Sequence, residues 1–180
     1  MRFLELAGRR QSDRRYAETP VPRDAIERCL EAARLAPSAC NSQPWSFIVV
    51  DHPGDRDRLA AAAFSGIYNM NRFAARAPVL VAVVTERSKY IARLGGMIRG
   101  VQYSLLDVGA ACEHLILQAA EEGLGTCWLG WFDEKAVKRT LGLPREARVD
   151  VLISVGYAEE GATREKKRKS LDEVRRYFRS

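Results

Sequence analysis

Two runs of cations and one polar turn are where chemistry could reside in this 180-residue sequence. Residues 9–15 hold Arg9, Arg10, Arg14 and Arg15 against Asp13, and residues 164–169 hold Arg164, Lys166, Lys167, Arg168 and Lys169 against Glu165. The runs carry +3 and +4, so of the formal +6 the rest of the chain supplies −1. A nucleic-acid face would spread Lys and Arg along one element and interleave exposed aromatic groups. Basic groups at two chain ends suit one compact anion such as a phosphate held from both sides; otherwise they are solvated charge runs.

The polar turn is Pro37-Ser38-Ala39-Cys40-Asn41-Ser42-Gln43-Pro44-Trp45. Pro37 stops a preceding helix, and Pro44 is expected to keep Gln43 extended, so Ser38, Asn41 and Ser42 stand on a stiffened turn. Such a loop is either a capped helix-to-strand connection or a ligand-holding surface, and its own residues leave both readings open.

The sequence has no Gly-x-Gly-x-x-Gly, Walker loop, Gly-x-Ser-x-Gly or His-Glu-x-x-His. His52 falls in a turn and His114 inside a long helix, so neither builds a convincing triad. Cys29, Cys40, Cys112 and Cys127 are scattered without a Cys-x-x-Cys pair, which signals neither a zinc site nor a disulfide framework. Binding loops without an evident acid, base or nucleophile point to a bound organic cofactor that does the chemistry.

The elements that must position these groups read as one α and β domain over residues 1–180. Hydrophobic residues make up 47% and charged residues 29%, the balance of an ordinary globule with a real core. Helical spacing marks residues 24–36 and 56–64, and a helix over 133–141 begins at an acidic N-cap and ends at Gly142. Strands are expected at 46–51, 79–84, 125–129 and 149–157, the second being a β-branched run suited to a sheet covered on both faces. Residues 100–122 form the longest helix, with Val101, Leu105, Val108, Cys112, Leu115 and Ala119 in one row and Asp107, His114, Gln118 and Glu121 on a polar stripe. So much apolar circumference needs either one large core or a second copy of the chain, and a homodimer is expected. The N-terminus lacks the apolar core of a signal peptide and no uncharged run reaches a membrane span, which suggests a cytoplasmic protein.

Four motifs in order resemble the FMN-dependent nitroreductases over essentially the whole chain. They are Arg10-Gln11-Ser12-Asp13-Arg14-Arg15-Tyr16, the turn at 36–45, Gly123-Leu124-Gly125-Thr126-Cys127-Trp128-Leu129-Gly130, and Lys166-Lys167-Arg168-Lys169-Ser170-Leu171-Asp172-Glu173. The resemblance implies an α+β, three-layer α/β/α sandwich with a central mixed, mainly antiparallel sheet and an intertwined homodimer. It implies FMN as cofactor and NADH or NADPH as electron donor. By it, Arg10, Ser12, Lys166 and Arg168 hold the FMN phosphate with Gln11 nearby, and Arg14 lies at the pyrimidine end of the isoalloxazine. Pro37, Ser38, Ala39 and Asn41 reach the flavin from the partner subunit, and Leu129 and Gly130 lie along the ring. The pyrimidine edge meets Asn71 or Asn69. No catalytic side chain and no metal ligand is expected.

The implied reaction is a ping-pong hydride transfer from NAD(P)H to a small nitroaromatic or quinone-type acceptor. Relatives of the same fold dehalogenate phenols, dehydrogenate peptides or cleave flavin, and these reactions remain alternatives, as does a basic nucleic-acid module. No nucleic-acid or membrane partner is expected. Residues 87–100, a lid in related proteins, are compact here; Tyr90, Leu94 and Met97 line an acceptor pocket or pack on the neighbouring subunit. Trp131 either stacks on substrate or plugs the core.

Overall fold

A computed structural model describes residues 2–86, 100–159, 161 and 164–179. At its centre four strands lie in the order β1-β2-β4-β3: β1 at Trp45–Val50, β2 at Val79–Thr85, β3 at Gly125–Leu129 and β4 at Arg148–Gly156. All three pairings are antiparallel, from Trp45 opposite Thr85 to Gly125 opposite Gly156, with a register shift between Val83 and Val84. A parallel bridge from Ser12 to Thr126 makes the sheet mixed at its β3 edge.

Every residue of β2 is buried, as its uninterrupted apolar run predicts. Because side chains alternate along a strand, Val79, Val81 and Val83 enter one core with Val151, Ile153 and Val155, while Leu80, Ala82 and Val84 enter a second with Leu152. Helices α2 (Arg23–Arg34) and α4 (Tyr103–Glu121) cover the first face through Ile26, Cys29, Cys112 and Leu115. On the second face lie α3 (Pro53–Ala63) and α5 (Glu134–Thr140), with Leu59, Ala63 and Val137 in contact. The result is the expected three-layer α+β arrangement. Burying a side chain such as Leu115 or Leu59 contributes about 1.5–3 kcal/mol relative to leaving it in water. Two shorter helices, α1 (Phe3–Arg9) and α6 (Leu171–Val174), flank the layers in sequence. No helix among the described residues is long and apolar enough to cross a membrane.

Several expectations shift. The helix placed at 56–64 starts at Pro53, whose fixed φ suits the first helical position. The 3₁₀ segment Gly66–Arg76 is an element that the expected helices and strands do not include. On α4, Leu105 belongs to the row expected inside yet is 39% exposed, and Leu106 is 62% exposed, whereas Asp107 of the polar stripe is buried. Residues 87–100, where related proteins carry a lid, and Tyr90, Leu94 and Met97 among them, lie outside the described residues apart from Gly100.

Two glycines let the N-terminal segment lie against the sheet. A Cβ at Gly125 would stand 2.7 Å from Asp13 Oδ2, and one at Gly156 would stand 2.5 Å from Pro78 Cδ and 3.0 Å from Tyr16 Cδ1. Any side chain there would push residues 13–16 off the edge of β3 and β4.

Candidate functional site

Residues 12–17 follow the sheet edge. The Asp13 amide donates to the Thr126 carbonyl at 2.8 Å and the Ala17 amide to the Tyr157 carbonyl at 2.9 Å. Tyr16 is the peg of this segment: its buried hydroxyl donates to the Asp13 carbonyl at 2.8 Å and lies 2.7 Å from Ser154 Oγ. Burial pushes the phenol far above its ordinary range, so it is a structural hydroxyl and not an acid.

The distant basic run is stitched onto this segment. Gln11 Nε2 donates to Asp13 at 2.7 Å, and Gln11 Oε1 accepts from the Arg164 amide at 3.1 Å. The Arg164 guanidinium donates to the Ser12 carbonyl, and the Lys166 ammonium to the Ala7 carbonyl in α1. The outcome is a cavity of about 350 Å³ lined by Arg10, Gln11, Ser12, Arg14, Lys166 and Arg168, together with Arg164, Glu165 and Lys167. Six of the sequence-derived candidates thus meet in one place although Ser12 and Arg164, which join the two runs, are 152 positions apart. Desolvation, then the like charges of Arg10 and Arg168, holds the Lys166 amine below the usual lysine range. Cations crowded around an open cavity, with a Ser hydroxyl among them, fit a phosphate monoester in charge and donor chemistry.

A second group of candidates lies beside the first. Arg14 stands over the Phe73 ring with its guanidinium carbon 5.9 Å from the centroid, which links the basic cavity to the Gly66–Arg76 segment. From that segment Asn71 Nδ2 donates to the Trp131 carbonyl at 2.9 Å, which leaves Oδ1 to accept. Asn69 opens onto a different cavity, with Asp57, Ser65 and Arg72. The Leu129 side chain is buried in the second core, so Leu129 can offer a ligand only its backbone. Gly130 is exposed, and a Cβ built on it meets nothing within 4 Å. Trp131 is 50% exposed and does not plug the core. Its indole N–H donates to the Ile67 carbonyl at 3.0 Å and its ring lies 5.1 Å from that of Tyr68, which fixes an aromatic surface next to Gly130.

The polar turn forms a third group, and it does not line the basic cavity. Pro37 and Asn41 are exposed, Ser38 and Ala39 half-buried. Cys40, Asn41 and Gln43 all have left-handed φ, of 52°, 50° and 46°. Gln43 is therefore not extended, contrary to the preference imposed by Pro44. Turn closure overrides that preference: Ser38 Oγ accepts from the Gln43 amide at 3.0 Å, Gln43 Nε2 donates to Asn41 Oδ1 at 3.0 Å, and the Trp45 amide donates to the Gln43 carbonyl at 2.9 Å. The residue that sequence reasoning missed is Asp107, whose carboxylate accepts from the Ala39 amide at 3.0 Å and the Ser42 hydroxyl at 3.4 Å. Its signal was an acid directly before Val108, in the apolar first half of the helix.

The nucleophile inventory stays thin. Burial pushes the Cys29 and Cys112 thiols up to about 12, and raises Cys127 despite the opposing charge of Arg14. His52 lies 3.6 Å from Asp55 on the exposed start of α3, and His114 Nδ1 lies 3.2 Å from the Ala32 carbonyl, joining α4 to α2.

A model of the nitroreductase family matches residues 7–157. An NADH dehydrogenase of Thermus thermophilus is 31% identical over 180 aligned residues, covering 85% of this chain and 85% of that protein. An iodotyrosine deiodinase of Thermotoga neapolitana is 27% identical over 88% of this chain and 89% of its own. The solved structure of an FMN-dependent nitroreductase from Clostridium difficile superposes with a TM-score of 0.73 at 25% identity, covering 98% of this chain and 99% of that one.

Proposed function

The chain belongs to the nitroreductase family, and from that premise we propose that it is an NAD(P)H-dependent FMN oxidoreductase that reduces small nitroaromatic or quinone-type acceptors. The observation that carries this reading is the basic cavity in which the two ends of the chain meet. When bound, FMN supplies the redox chemistry, accepting hydride from NAD(P)H and passing it to the acceptor in a second half-reaction.

The protein's part is to bind and orient. Arg10, Ser12, Lys166 and Arg168 hold the phosphate, with Gln11 bracing the segment through Asp13 and Arg164. Arg14, steadied over Phe73, would hold a cation near the pyrimidine end of the flavin, where it would favour the negatively charged reduced cofactor. Asn71 Oδ1 offers an acceptor to a ring N–H, and the open Gly130 backbone lets the ring approach closely. No side chain acts as an obligatory acid or base.

The remaining candidates, Pro37, Ser38, Ala39 and Asn41, stand apart from this cavity and serve the flavin of a second copy. That copy covers the exposed Leu105 and Leu106 of α4, so the working unit is a homodimer with residues 1–180 as its one FMN-binding domain. Four free cysteines suit a reducing cytoplasm. Basic groups from two distant runs that meet around one small cavity suit a compact anion better than the backbone of a nucleic acid.

The test is an absorbance spectrum of protein reconstituted with FMN, followed by anaerobic addition of NADH or NADPH and then of menadione or a nitrofuran. A flavin band that either nucleotide bleaches and the acceptor restores is expected; protein that stays colourless overturns the reading. The similarity to the Thermotoga deiodinase supports a second reading at the same flavin, reductive dehalogenation of a phenol. Halide release from a halotyrosine under dithionite, without turnover of menadione, would select it.

A further inference from the structure

We propose that Asp107 is a positioning residue for flavin binding: its buried carboxylate on α4 holds the 39–43 turn in the conformation that presents Ser38, Ala39 and Asn41. The inference rests on the flavin reading above. Asp107 is only 7% exposed, on a helix whose neighbouring residues Val108 and Ala111 are core. An acid in such a place is costly unless its oxygens are used, and both are: Oδ1 accepts from the Ala39 amide at 3.0 Å and Oδ2 from the Ser42 hydroxyl at 3.4 Å.

These two contacts bracket Cys40 and Asn41, and Gln43 follows. Left-handed backbone is unfavourable for each of these side-chain-bearing residues, so the turn keeps its shape only while its ends are held. The Ser38 and Gln43 bonds close the turn on itself but tie it to nothing else. Asp107 supplies the tie to a rigid element. It also follows directly on Leu105 and Leu106, the exposed apolar pair of α4, so whatever seats that helix end seats the turn as well.

The experiment compares Asp107→Leu, Asp107→Asn and Ser42→Ala in the full chain. It measures amide hydrogen exchange at residues 38–43, FMN affinity by fluorescence quenching, and the visible absorption envelope of bound flavin. Asp107→Leu, which removes both acceptors at similar volume, is expected to accelerate exchange and weaken FMN binding by about tenfold or more, with a shifted envelope. Asp107→Asn keeps an oxygen for the Ala39 amide and should stay within about threefold of wild type, while Ser42→Ala, losing one contact, should fall between the two. Wild-type exchange and FMN affinity in Asp107→Leu overturn the proposal, as does an Asn variant as damaged as the Leu variant. Should Asp107→Leu fail to fold by circular dichroism, an unaltered Ser42→Ala overturns it. Wild type that takes up no FMN defeats the flavin reading and this inference with it, whereas wild type and Asp107→Leu binding FMN alike defeat this inference alone.

Discussion

Replacing Arg168 with Ala tests the basic cavity most directly. Arg168 lines that cavity, donates locally to the Lys167 carbonyl at 2.8 Å, and by its charge helps hold the Lys166 amine below its ordinary range. Two effects act in the same direction. With phosphate bound, the substitution removes a charge-assisted hydrogen bond; since the side chain is exposed, the low end of the usual range applies, about 1.5 kcal/mol, or roughly tenfold in dissociation constant. Without phosphate, it relieves repulsion and so stabilises the empty form, which widens the gap. FMN should therefore bind about ten to thirty times more weakly, and the difference should shrink as salt screens the cluster. Riboflavin, which lacks the phosphate, is the internal control. Fluorescence-quenching titrations of both ligands at two ionic strengths decide the matter. Equal weakening for riboflavin, or undiminished FMN affinity, would refute the assignment of the phosphate to this cavity.

Gly130→Val should leave the thermal midpoint close to wild type, because nothing lies within 4 Å of the new Cβ, yet should abolish flavin uptake by occupying the open backbone face; retained flavin would place the ring elsewhere. Leu105→Glu with Leu106→Glu should give a monomer by light scattering and at least about a tenfold loss of FMN affinity, since burying two carboxylates at an interface is prohibitive; a monomer that binds FMN tightly contradicts a shared site. Bound phosphate favours the charged form of Lys166, so FMN affinity should be highest below the depressed amine pKa and fall as pH rises through it, earlier than ordinary lysine would require. A Lys166→Arg variant with the same alkaline fall would remove Lys166 from the explanation. Trp131→Ala should slow turnover of planar nitroaromatics while sparing ferricyanide, measured as kcat/KM for each with NAD(P)H; equal slowing of both would show that the indole does not meet the acceptor.

Much of the scaffold was legible because its signals are local. The β-branched run at 79–84 is a strand buried on both sides, Asp133 caps its helix by accepting from the Ala136 amide at 2.9 Å, and the spacing along 100–122 marks α4. The meeting of residues 10–14 with 166–168 was legible from charge, since cations confined to both ends of a chain call for a shared anion. What stayed hidden depends on contacts between distant residues. Asp107 reads as one member of a polar stripe until the turn folds over it, and Gln43 obeys its hydrogen bonds over its neighbour Pro44. Asn71 and Asn69 take different surroundings only in the folded chain, where Asn71 donates to the Trp131 carbonyl and Asn69 lines another cavity.

The stitch between Gln11 and Arg164 joins positions 153 residues apart. During synthesis the first half of the basic cavity leaves the ribosome long before the second exists, while both core layers and all four strands are complete by Gly156. A nascent chain can therefore acquire its hydrophobic interior without yet being able to retain a phosphate. On the proposed reading, cofactor capture comes late in this molecule's maturation, and a chain broken off after its final strand is expected to retain no flavin.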